Sequence, residues 1–303
     1  MRASGEQFEI AAGDYSAVVT EVGATLRMLR YEDRDLVAGF DADEMMPMFR
    51  GAVIAPWPNR IADGKYEFGG EAYQLPLNEP ARRTALHGLV SWAAWRVASH
   101  EPGSVVLTHR LFPQSGYPFL LDLTMSYSLD DKGLTCQLTA ANAGDIEAPY
   151  GMASHSYLVA GQGRVDDWTL TLGASTYLTV TPDRLLPVGL VDVGGTPYDF
   201  RAGRPLSGLS VDHAFTDLTR SGAGLASAQL LAGDGTGVEV VWDSTTCGWA
   251  QVHTADRPER RFDRAGLAFE PMTCPPDAFN SGRGLVVLKP GDDHQAWWRV
   301  SAL

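Results

Sequence analysis

The apolar run "LAFE" (267–270) ends on a carboxylate, Glu270, and the chain then enters "PMTCPP". Proline cannot donate to a sheet ladder, so Glu270 is expected at the tip of a buried strand. A buried carboxylate is costly unless it is paired or used. Two histidines keep unusual company: His87 in "TALHGLVSW" and His155 in "YGMASHSYL". Arg60 closes "APWPNR" (55–60), and Asp212 lies in "VDHAF" (211–215). Glu and His are the side chains of general acid–base chemistry, with a structural ion pair as the competing reading. Each of the others has an ordinary reading too: a backbone-bonded His, a loop Arg, a turn-capping Asp. Together they are expected in loops or at strand ends, where a β-scaffold gathers polar groups into a site.

The elements that must position them are strands. In "LDLTMSYSLDDKGLTCQLTA" (121–140), Leu121, Leu123, Met125, Tyr127 and Leu129 alternate with polar residues. "DDKG" turns the chain, and Leu134, Cys136 and Leu138 resume the period of two, a hairpin signature. "KYEFGGEAYQL" (65–75) and "AQLLAGDGTGVEVVW" (228–242) predict two more hairpins. "VVLTHRLF", "WTLTLGASTYLTV" and "LVVLKPGDDHQAWWRV" add β-rich segments, and no amphipathic pattern of helical length is found. "GDGTG" is no dinucleotide loop, because no helix follows it. With 32 Gly, 18 Pro and no linker tract or solenoid repeat, residues 1–303 read as one all-β sandwich or barrel.

Composition narrows the partners. A net charge of −13 excludes a general attraction to nucleic acid or anionic membrane. The three cysteines, Cys136, Cys247 and Cys274, form neither a disulfide framework nor a CxxC metal pair, so a structural zinc site is not expected. No signal-peptide pattern or long apolar span is found, and the cytoplasm is the default compartment.

Six stretches, in order along most of the chain, resemble the aldose 1-epimerases, or galactose mutarotases: "NRIADGKYEFGGEAYQLPLN" (59–78), "LHG" (86–88), "SHSYL" (154–158), "GTPYDFR" (195–201), "DHAF" (212–215) and "FEPMTCPPDAFNSG" (269–282). The resemblance implies a large antiparallel β-sandwich with a cleft across one sheet. It implies that Glu270 is the catalytic base and His155 the general acid. It further implies that His87 and Arg60 bind the sugar near its ring oxygen, and that Asp212 holds a hydroxyl. Trp57, Tyr157 and Phe279 lie beside the motifs; a ring can pack on a sugar's C–H face, although for Phe279 a core position is expected. The pattern departs from the family in two places. His155-Ser156-Tyr157-Leu158-Val159 replaces His-Pro-Tyr-Phe-Asn, and Leu89 replaces a frequent second Gly, which changes the walls of the site.

The implied activity is interconversion of α and β anomers of a free monosaccharide by ring opening and reclosure. It needs one base and one acid, expected on opposite sides of the hemiacetal, with His155 kept protonated by nearby carboxylates, and no metal or cofactor is expected. A hexose-6-phosphate mutarotase would need a cationic pocket, for which Arg82-Arg83 is the candidate against a solvated-loop reading. A non-catalytic sugar-binding protein has no need of both Glu270 and His155. A glycoside hydrolase would use Glu270 and Asp212 as its two carboxylates and leave His155 without a task. The sequence says nothing of oligomeric state, and Cys274 is expected to be close enough to Glu270 for modification.

Overall fold

The hairpin of residues 121–142 forms as its alternation requires. In the computed structural model, which describes residues 2–303, the strand Leu121–Asp130 pairs antiparallel with Gly133–Asn142, Leu121 opposite Asn142 and Asp130 opposite Gly133. Leu121, Leu123, Met125 and Tyr127 are buried on one face, and the residues between them reach the surface. This hairpin lies within a nine-stranded antiparallel sheet. Asp293–Ala302 follows it, then Gly237–Asp243 and Leu225–Leu231, which form the second predicted hairpin.

A seven-stranded antiparallel sheet covers the inner face. Its order is Pro187–Asp192, Ala174–Val180, Asp212–Leu218, Trp249–His253, Leu267–Met272, Ala153–Leu158 and Ala52–Ile54. Inward side chains of both sheets share one core, in which the rings of Trp242 and Phe269 lie 5.5 Å apart. Burying each such large side chain contributes on the order of 1.5–3 kcal/mol. A four-stranded sheet of residues 7–35 and the predicted Lys65–Phe68/Glu71–Gln74 hairpin complete the main architecture. Among the described residues helix is limited to Ala278–Ser281 and two short 3-10 turns. Among the described residues no helix is long and apolar enough to cross a membrane.

One expectation about the strands is overturned. The strand carrying Glu270 does not stop there, since Pro271 and Met272 belong to it and pair with Ala250 and Trp249. The missing proline N–H shows on the other side. There the register passes from Ala153 opposite Met272 directly to Ser156 opposite Phe269. One neighbour therefore keeps a continuous ladder while the other carries the break.

Candidate active site

Cross-strand partners point to the same face of a sheet. Asp212 is opposite His253, Gln251 is opposite Glu270, and the pairs flanking His155 set it across from Glu270. Alternation places Tyr157 beside His155. Register alone thus arrays Asp212, Gln251, His253, Glu270, His155 and Tyr157 over four adjacent strands on the face away from the core. Above them opens a cleft of about 440 Å³, also lined by Arg60, His87, Glu79, Phe49 and Arg257. That size falls in the range of small-molecule sites, roughly 300–1,000 Å³.

The floor of the cleft is the His155–Glu270 pair. His155 Nε2 lies 3.4 Å from Glu270 Oε1, and both side chains are almost wholly buried. Burial drives both groups toward their neutral forms. It pushes Glu270 well above the usual carboxylate range, with a further push from Asp212 against a pull from Arg60. Burial pushes His155 down to about 3, and the favourable field of Asp212 is the weaker influence. The expectation that carboxylates keep the resting imidazole charged is therefore corrected: desolvation wins. A protonated Glu with neutral His holds the same number of protons as a carboxylate with imidazolium. The pair is one proton shared between two sites, and in either arrangement it presents one donor and one acceptor. Nor do the two residues face each other from opposite sides of a hemiacetal, as expected from the sequence; they stand side by side on neighbouring strands.

His87 forms the adjoining wall. Its ring meets His155 edge-on at 5.0 Å and Phe49 at 4.8 Å. Burial holds it neutral, and the neighbouring His155 adds to that effect. The "LHG" motif has a backbone cause. His87 adopts φ 59° and Gly88 φ 67°, and a Cβ on Gly88 would stand 2.0 Å from the Ala55 carbonyl oxygen. Tyr157 stacks on His155 at 5.3 Å and donates its hydroxyl to the Met48 carbonyl at 3.2 Å, so the imidazole rests on a fixed platform.

Arg60 is held in a fork. Its Nε and Nη2 donate to the two oxygens of Glu79 at 2.8 and 3.0 Å, and Nη1 donates to Asn59 Oδ1. Burial alone would raise Glu79, but hydrogen bonds from Arg60 and Thr84 keep it below the usual range, hence charged. The "TCPPD" stretch completes this support. The Asp277 amide donates to the Arg60 carbonyl at 2.7 Å, and the Asp277 carboxylate accepts the Ala62 amide at 2.9 Å. The motif following Glu270 thus ties Arg60 to the strand that carries Glu270.

The structure brings Glu270, His155, Arg60, His87, Asp212 and Tyr157 together at the cleft. Trp57 is not brought there. It is 2% exposed, its indole donates to the Ala85 carbonyl, and it packs on Tyr117 and Phe279 as a core residue. Phe279 is core as well, as expected. His155 and Glu270 lie in strand interiors, not in loops or at strand ends, because a sheet face roofed by loops is also a site surface. Of the arginine pair, Arg82 lines the cleft but is bonded to Glu79 at 3.0 Å, while Arg83 is exposed. Cys274 is fully buried and its thiol is pushed up to about 12 by burial, so the expected openness to modification is not found.

Sequence reasoning missed Glu79, Gln251, His253 and Arg257. A signal existed for two of them: in "WAQVH" (249–253) polar residues occupy alternate positions of an otherwise apolar strand. Gln251 donates to Asp212 Oδ1 at 2.7 Å, and His253 Nδ1 lies 3.8 Å from Asp212 Oδ2. Among the described residues no group of three or more His, Cys, Asp or Glu is arranged to hold a metal ion. What the cleft does offer is unsatisfied polarity. His87 Nδ1, His155 Nδ1, Gln251 Oε1, His253 Nδ1 and Glu270 Oε2 are buried without a hydrogen-bond partner among the described residues. Such atoms need a ligand or water with several polar groups.

Comparison with known proteins bears on what that ligand is. Residues 6–301 match the family model described as aldose 1-epimerase. A protein of Escherichia coli K12, named as the uncharacterized protein YihR, is 34% identical over 307 residues, covering 99% of this chain and 94% of that protein. Galactose mutarotase of Rattus norvegicus is 28% identical over 337 residues, covering 98% of this chain and 94% of the rat protein. The crystal structure of a GalM/aldose epimerase homologue from C. elegans superposes with a TM-score of 0.86 at 22% identity, covering 98% of both chains.

Proposed function

Since this chain belongs to the aldose 1-epimerase family, we propose that it interconverts the α and β anomers of a free aldohexose, with Glu270 as base and His155 as acid. The observation that carries the reading is the buried His155–Glu270 contact of 3.4 Å on the floor of a cleft rich in unpartnered polar atoms. The two oxygens that exchange protons in mutarotation, the C1 hydroxyl and the ring oxygen, are attached to one carbon. A donor and an acceptor side by side match them better than a pair straddling the ring.

Ring opening then proceeds as follows. Glu270 takes the proton of the C1 hydroxyl while His155 gives a proton to the ring oxygen, and the C1–O5 bond breaks to leave an aldehyde. Rotation about C1–C2 and reversal of both transfers close the ring on the other face. Proton count is conserved over the cycle. The reactive arrangement, carboxylate plus imidazolium, is opposed by burial. A bound sugar favours it, because a hydroxyl donating to the free Glu270 Oε2 stabilises the carboxylate. The Asp212 charge favours the imidazolium. Arg60, fixed by Glu79, stands on the cleft wall as a donor toward the substrate's oxygens.

The test is exchange between anomers of D-galactose and D-glucose, followed by NMR or polarimetry against the spontaneous rate. Wild-type protein is expected to accelerate it and Glu270→Gln to lose most of the acceleration. Equal acceleration in the two proteins would remove Glu270 from the chemistry, and a wild-type rate no faster than the spontaneous one would leave a binding protein without turnover. One observation favours a second reading, a phosphorylated hexose: Arg257 lines the cleft, exposed and without a carboxylate partner among the described residues. Faster anomerisation of glucose 6-phosphate than of glucose would establish that reading.

A further inference from the structure

We propose that Trp92 and Phe49 form an outer subsite for a second sugar ring, so that the cleft takes the reducing end of a disaccharide; this rests on the mutarotase reading above. Two tryptophans of one turn are treated differently. Trp95 is 1% exposed, and its indole donates to the Val90 carbonyl at 3.3 Å. Trp92, three residues earlier, is 48% exposed. Half of a large apolar ring left in water forgoes much of the stabilisation that burial brings. The turn is not free to hide it. Val90 and Ser91 are buried, the Ser91 hydroxyl donates to the Val53 carbonyl at 2.9 Å, and the Leu89 amide donates to the Ala55 carbonyl at 2.8 Å. Trp92 is thus held outward beside the strand Ala52–Ile54, which neighbours the strand carrying His155.

The ring it rests on belongs to the cleft. Single exposed apolar residues are common on protein surfaces, but Trp92 packs at 5.7 Å on Phe49, which lines the cleft. Phe49 in turn stands 4.8 Å from the His87 ring and 6.3 Å from the His155 ring. The indole is therefore two ring contacts from the proton-transfer floor, and successive rings of an oligosaccharide follow one another at a similar spacing. The backbone holds Phe49 there against its own preference. Met48 and Phe49 adopt φ 51° and 58°, two successive side-chain-bearing residues in the left-handed region. An aromatic face packs on the C–H face of a sugar, and the indole N–H can donate to a hydroxyl. A second ring leaves the chemistry intact, because the free C1 hydroxyl and the ring oxygen that exchange protons both belong to the reducing ring.

The experiment compares kcat/KM for the better aldohexose with that for disaccharides carrying it at the reducing end, through 1→4 and 1→6 linkages. The proteins are wild type, Trp92→Ala and Trp92→Phe, each checked for folding by circular dichroism. For at least one linkage, Trp92→Ala should lower the ratio of disaccharide to monosaccharide about five- to tenfold, chiefly through KM. Trp92→Phe, which keeps a ring, should restore most of it. A ratio that falls less than threefold for both linkages overturns the subsite, as does a wild type that turns over the monosaccharide and neither disaccharide. If wild type turns over no sugar, the mutarotase reading fails. The same ratio in Kd by calorimetry then decides the subsite alone, and a wild type that binds no disaccharide overturns it.

Discussion

The hairpin of residues 121–142 and the two strands bearing His155 and Glu270 are both neighbouring antiparallel pairs, yet they bury their residues differently. Along Leu121–Asp130, buried positions alternate with partly or fully exposed ones. In Ala153–Leu158 and Leu267–Met272 all six positions are buried. The hairpin has one face on the core and one toward water. The cleft strands have the same core face, but their second face lies under a roof of loops. A polar side chain on the hairpin's outer face remains hydrated. The same side chain on the cleft face is desolvated, and its proton affinity moves toward the neutral form. The fold makes a chemical site simply by covering the second face of a sheet.

That contrast can be broken at single positions. The largest expected effect is on the cleft face. His155→Phe keeps a ring on Tyr157 but removes the donor, and kcat for anomer exchange should fall by roughly 10²–10⁴ while the thermal melt stays cooperative. On the core face of the hairpin the reverse holds. Leu138→Ala, at a fully buried position, should destabilise by about 2–5 kcal/mol in urea titration. The protein that remains folded should turn over normally.

A smaller effect separates the two faces by pH. Burial raises Glu270 in the folded protein, so above about pH 4.5 the folded state keeps a proton that the unfolded state releases. The stabilisation from this group is complete at low pH and is lost as pH rises. Stability of Glu270→Gln relative to wild type should therefore improve as pH rises above the ordinary carboxylate range. The slope should be up to about 1.4 kcal/mol per pH unit, measured by urea titration. His155 carries the opposite sign: its folded value of about 3 lies below its unfolded one, so its contribution to stability falls as pH drops through about 6.5 toward 3. The smallest effect belongs to the solvated face. Arg110 and Asp122 form an exposed ion pair at 2.6 Å beside the hairpin, and Arg110→Ala should leave the melting temperature within error at physiological salt.

Alternation made the hairpins legible in the sequence, since period two with one wet face leaves a mark on every second residue. The cleft strands leave no such mark. "ASHSYL" and "LAFEPM" read as short mixed runs, and the roof that buries their second face is made by distant segments. Pro271 suggested an end to its strand, when only one of the two ladders needed its N–H. Glu79 could not be singled out because its partner Arg60 meets it only through the pairing of Arg60–Ala62 with Thr84–Leu86. Trp57 shows the converse: an aromatic next to a site motif had the apolar area to enter the core and did so. His155 and Glu270 were found through motif order, and their 3.4 Å contact follows from a register that no local pattern encodes.

The account depends on a proton donor and a proton acceptor lying side by side on a covered sheet face. Its most direct test is the rate of anomer exchange of D-galactose by magnetisation-transfer NMR, with wild type and Glu270→Gln at equal concentrations of folded protein. The account predicts enzyme-dependent exchange in wild type and a drop of at least about a hundredfold in the variant. Exchange of equal speed in both, with the variant fully folded, would contradict it.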